Sequence, residues 1–116
     1  IFKDNVITSS EISANASGKS YEVSFETAPA AYGDLSQATK AGDALLIEVL
    51  RKDGSVLKSF EHTPGAWSGK SEFAAIQFSY QGDGSGDIRL RIRSAGKTFD
   101  DRFKGAIDNL IVKETK

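Results

Sequence analysis

Within Asp87-Ile88-Arg89-Leu90-Arg91-Ile92-Arg93-Ser94, the six residues from Ile88 to Arg93 alternate apolar and cationic side chains without a break. In a β-strand every second side chain faces the same way, so Ile88, Leu90 and Ile92 belong to one buried face and Arg89, Arg91 and Arg93 to the opposite one. A helix does not sort this order, because a period of two scatters both sets around a 3.6-residue turn. A second stretch, Gly105-Ala106-Ile107-Asp108-Asn109-Leu110-Ile111-Val112, reads as a closing strand.

The rest of the chain repeats the pattern. Tyr21, Val23 and Phe25 alternate with Glu22, Ser24 and Glu26, and Ile76, Phe78 and Tyr80 alternate with Gln77 and Ser79. Glycine, aspartate and proline punctuate the chain at short intervals, the spacing expected of a sandwich or barrel. Strands are predicted near 5–12, 20–28, 44–51, 55–61, 72–80, 87–95 and 105–113. Asp53-Gly54 supplies the positive φ angles of a tight hairpin turn between the third and fourth. The run Gly82-Asp83-Gly84-Ser85-Gly86 reads as a glycine-rich hairpin turn, because Asp83 and Asp87 lack the spaced carboxylates of a calcium loop. Residues 29–43 and 96–104 are the longest irregular connections, where binding surfaces are commonly built. The fold class is therefore all-β, an antiparallel sandwich of two sheets burying their apolar faces against each other.

The 116 residues make one domain, 1–116, and the 15 basic and 16 acidic side chains leave a net charge of −1. That balance gives no basic field for a phosphate backbone, which argues against nucleic acid. The chain has no cysteine, so thiolate chemistry and disulfides are excluded. No apolar run reaches membrane-spanning length, so membrane insertion is not expected. A start at Ile1 leads us to expect a mature form or an excised piece of something longer.

Four groups of side chains carry candidate chemistry. Trp67, the single tryptophan, follows Pro64-Gly65 and reads either as a platform for a sugar ring or as a plug closing one end of the core. Tyr32, in Ala30-Ala31-Tyr32-Gly33-Asp34, is either a second platform or packed on the sheet edge. Arg89, Arg91 and Arg93 suit the sulfate or uronate groups of an acidic glycan, or pair across strands with carboxylates such as Glu22, Glu26 or Glu48. Asp100 and Asp101 are adjacent carboxylates able to flank a metal, with Arg102 beside them to neutralise them. His62, the single histidine, leaves no histidine metal cluster, and nothing places two carboxylates in one cleft for glycoside hydrolysis.

Taken in order, Tyr21-Glu22-Val23-Ser24-Phe25-Glu26, the hairpin through Lys52-Asp53-Gly54, Trp67 ahead of a strand, Ile88-Arg89-Leu90-Arg91-Ile92 and Ile107-Asp108-Asn109-Leu110-Ile111-Val112 resemble the galactose-binding-like jelly-roll domains of secreted bacterial proteins. Many carbohydrate-binding modules belong to that family, and the likeness spans most of the chain. It implies a jelly roll that binds a polysaccharide or oligosaccharide without transforming it, on a sheet face or at loop tips. It also implies one structural calcium ion near the chain ends, with Asp108 contributing, and a secreted, periplasmic or cell-surface location. The expected role is a monomeric module that holds attached domains near polysaccharide. The alternative is a structural or adhesive protein-interaction domain without glycan affinity.

Overall fold

The computed structural model describes residues 6–29, 44–63, 73–94 and 105–115. Seven antiparallel strands occur among them and no helix: β1 (Val6–Thr8), β2 (Ser20–Pro29), β3 (Leu45–Leu50), β4 (Val56–His62), β5 (Ala74–Gln81), β6 (Arg89–Ser94) and β7 (Gly105–Thr115). They form a four-stranded sheet in the order β1-β6-β3-β4 and a three-stranded sheet in the order β5-β2-β7. Trp67, Tyr32, Asp100 and Asp101 lie outside the described residues.

The alternation in the sequence becomes the core. Tyr21, Val23 and Phe25 of β2 and Phe78 and Tyr80 of β5 meet Leu45, Ile47 and Val49 of β3 and Leu90 and Ile92 of β6 in one buried cluster. Each such side chain contributes roughly 1.5–3 kcal/mol on leaving water. Register aligns Ile7, Ile92, Ile47 and Phe60 across the larger sheet. The Phe60 ring then stacks on Phe78 at 4.9 Å, tying β4 of one sheet to β5 of the other.

The hairpin at Asp53-Gly54 forms as its residues require. Gly54 adopts φ 91°, and the Asp53 carboxylate accepts hydrogen bonds from the Ser55 N–H and hydroxyl at 2.9 and 2.6 Å. A register shift between Val49 and Leu50 leaves Leu57 as an extra residue on β4, and Leu57 packs against the core.

Two expectations are corrected. The first strand stops at Thr8 rather than continuing to Ile12. Beyond it the Ser9 N–H still donates to the Leu90 carbonyl at 2.8 Å, but the Ser9 hydroxyl accepts the Leu90 N–H at 2.9 Å in place of a backbone carbonyl, and the next bridge is an isolated one between Ile12 and Ile88. The glycine-rich segment 82–86 is not a hairpin turn, because β5 and β6 belong to different sheets and it crosses between them.

That crossing is tied down by Asn15, which is 7% exposed. The Asn15 side-chain amide donates to Asp83 Oδ1 at 2.9 Å, Ser85 Oγ at 3.1 Å and the Gly86 carbonyl at 2.8 Å, and its own oxygen accepts the Asp83 N–H at 2.8 Å. Arg51 Nε donates to the other Asp83 oxygen at 2.7 Å, so the carboxylate bridges the β3–β4 hairpin to the crossover. These donors, led by Ser85 and Arg51, hold the Asp83 carboxyl well below the usual carboxylate range. Two tyrosines fix the same segment from inside. Tyr80 donates its hydroxyl to the Ala14 carbonyl at 2.8 Å, and Tyr21 accepts the Ala16 N–H at 2.9 Å.

Candidate functional site

The outward face of β6 presents Arg89, Arg91 and Arg93 at intervals of about 7 Å, set by the rise of an extended chain. Register places Glu48 of β3 directly opposite Arg91. Glu48 is 4% exposed, and its Oε1 accepts Arg91 Nε at 2.7 Å and Arg93 Nε at 2.9 Å. The Arg91 hydrogen bond leads the effects that bring the Glu48 pKa down to about 2, against a burial penalty that raises it. One buried carboxylate thus orients two guanidinium groups. Arg89, opposite Leu50, is exposed.

Glu22 and Glu26, the other carboxylates weighed for the arginine row, sit on the outward face of the other sheet. There half-buried Glu22 faces exposed Lys113 at 3.8 Å, a long contact at the surface worth under about 1 kcal/mol. Glu26 Oε1 accepts the Asn109 side-chain amide at 2.6 Å. Asn109 has φ 54°, the one positive φ outside glycine among the described residues, and lies where the β2–β7 register shifts between Ser24 and Glu26. The extra residue of this bulge lets its side chain reach across to β2.

Asp108 stands opposite Glu26 and is exposed; its Oδ1 accepts the Asn109 backbone N–H at 2.8 Å. No group of three or more histidine, cysteine or acidic side chains able to hold a metal occurs among the described residues. A calcium ion takes six to eight oxygens. Asp108 and Glu26 by themselves do not supply that shell. His62, half-buried on β4, has its pKa depressed by burial.

Sequence reasoning placed the arginines on one face but did not link Asn15, Arg51 and Asp83. Those contacts span 68 and 32 residues along the chain, and no local pattern encodes them. It also passed over Asn109, although an Asp-Asn pair inside an otherwise apolar strand is the composition of a left-handed bulge residue. No protein-family model matches the chain, and neither does any curated protein.

Proposed function

We propose that the chain is a non-catalytic carbohydrate-binding module of an exported protein, taking acidic polysaccharide on the outward face of the four-stranded sheet. The observation that carries this reading is the arginine row, in which a buried carboxylate aims the heads of Arg91 and Arg93. Arg91 engages Glu48 through Nε, which leaves its two terminal nitrogens to fork a carboxylate or sulfate oxygen pair. Arg89 presents a second fork one strand repeat away. Repeating anions on a polymer match repeating cations on a rigid strand, and the ordering of Arg91 before binding lowers the entropy lost on association.

The test is affinity electrophoresis with polygalacturonate, alginate and heparin, with neutral glycans as controls, in calcium and again in chelator. Retardation by an acidic polymer, lost in Arg89→Gln/Arg91→Gln, is the expected outcome. Equal migration of wild type and variant in every acidic polymer would overturn the reading. A loss of retardation in chelator would tie the resemblance's calcium, and with it Asp108, to binding. Trp67→Ala and Tyr32→Ala report in the same gels on the two aromatics expected from the sequence to act as sugar platforms.

One observation favours the structural or adhesive reading instead. The eleven-residue strand β7 pairs with β2 on one side and with no described strand on the other. An edge of that length is a template for strand addition by a partner protein. Migration unaffected by any glycan, together with capture of an extended peptide along β7, is what that reading expects.

A further inference from the structure

We propose that β7 is the seam of a symmetric dimer, in which a second copy of this chain pairs antiparallel with β7 about a two-fold axis beside Ile111. The seam uses none of the arginines, and it fills the edge that the structural or adhesive reading leaves to a partner protein. β7 is 11 residues long, with β2 on one side and no described strand on the other. A strand about twice the usual length carries a correspondingly long row of backbone groups able to pair.

Register within the sheet shows why a second copy fits this edge. On the outward face Asp108, Ile111 and Lys113 stand opposite Glu26, Ser24 and Glu22, every second residue of β2. The three are therefore evenly spaced, although two residues separate Asp108 from Ile111 and one separates Ile111 from Lys113. The bulge at Asn109 absorbs the difference. An antiparallel copy centred on Ile111 consequently sets Ile111 beside the partner's Ile111, Lys113 beside the partner's Asp108 and Asp108 beside the partner's Lys113. Without the bulge Lys113 would meet an asparagine instead. The two-fold axis makes each contact twice, and directly opposed side chains lie about 5 Å apart.

The side chains themselves favour this occupant over an unrelated peptide. Ile111 is 52% exposed in the single chain, and the partner's Ile111 covers it across the seam. Asp108 Oδ1 accepts the Asn109 backbone N–H, which leaves Oδ2 for an incoming ammonium. The Lys113 ammonium has only a long contact at 3.8 Å with Glu22 and reaches a second carboxylate at little cost. On the inner side Val112 meets the partner's bulge, where Leu110 packs against the core as Val112 does. A lysine on an edge strand ordinarily deters pairing, because its charge goes unmatched. A second copy supplies the match, and two three-stranded sheets join into one of six strands.

The experiment is sedimentation equilibrium of the chain from about 1 μM to about 1 mM, a range that covers weak and moderate dimers. The expected result is a mass that rises from monomer to dimer. Lys113→Asp sets like charges together twice and should weaken the dimer at least about tenfold, while the swap Asp108→Lys/Lys113→Asp should return it to within about threefold of wild type. The chain has no cysteine, so Ile111→Cys gives a geometric readout. Its thiols meet across the axis and should air-oxidise to a linked dimer at least about tenfold faster than those of Gln77→Cys, two strands away on the same face. The proposal is overturned by a dimer that Lys113→Asp leaves within about twofold of wild type, by a swap that restores nothing, or by equal oxidation of the two cysteine variants. A chain that stays monomeric throughout also overturns it, and capture of a foreign peptide along β7 would then assign the edge to the adhesive reading. Affinity electrophoresis reads the arginine face separately, so either proposal falls without the other.

Discussion

Glu48 occupies a position that alternation assigns to solvent, yet it is 4% exposed. A buried carboxylate is tolerated because Arg91 and Arg93 supply charge-assisted hydrogen bonds, and removing one member of such a pair typically costs about 3–5 kcal/mol. Because the folded pKa of Glu48 is lowered from 4.5 to about 2, its contribution is fully present above pH 4.5 and is lost as pH falls towards 2. Glu48→Gln should therefore destabilise the chain by about 3 kcal/mol at pH 7 and flatten this acid dependence, as read by denaturant unfolding across that window. Tyr80 works on the alkaline side. Burial, with Tyr21 adding to it, raises its pKa from 10 to about 12, so its contribution is lost as pH rises past 10. Asn15 gives a third prediction at this scale. Asn15→Asp sets a carboxylate where an amide donates to Asp83, so the variant should be least stable at neutral pH and recover part of the loss once the new acid is protonated. Unfolding midpoints at pH 7 and pH 4 check the sign, and an equal loss at both would refute it.

At the scale of elements, two bulges set what each sheet presents. The β3–β4 shift turns Leu57 towards the core, and the β2–β7 shift places Asn109 in the left-handed region against Glu26. Asn109→Val should cost about 2 kcal/mol, because a branched side chain is strained at φ 54°, whereas Asn109→Gly should stay within about 1 kcal/mol. Thermal unfolding of the two variants separates backbone strain from the lost contact with Glu26. The crossover 82–86 depends on close approach rather than on a turn type. A Cβ on Gly82 would run into the Ala16 carbonyl oxygen, so Gly82→Ala forces the backbone apart. The β3–β4 hairpin was legible in the sequence because Asp53-Gly54 encodes its turn locally. The crossover was not, because glycine permits many paths and the contacts of Asn15 and Arg51 select one.

At the scale of the whole molecule, the described strands form two sheets that bury one core between them. Phe60 and Phe78 couple the sheets, and a double-mutant cycle of Phe60→Leu and Phe78→Leu should show a coupling of about 1 kcal/mol. If the arginine face binds polyanions, polygalacturonate affinity should fall with added salt, and Arg89→Gln should reduce that dependence; a salt-independent affinity would point to another surface. The strand content, the core residues and the shared face of the three arginines were written in the sequence by itself, because a period of two is a local property of the chain. Tertiary structure decided the rest. It brought Glu48 rather than Glu22 or Glu26 beneath the arginines, because adjacency across strands depends on sheet order and register rather than on spacing along the chain. It also brought Glu26 within reach of Asn109, because β2 and β7 become neighbours only when the apolar faces of distant segments bury one another.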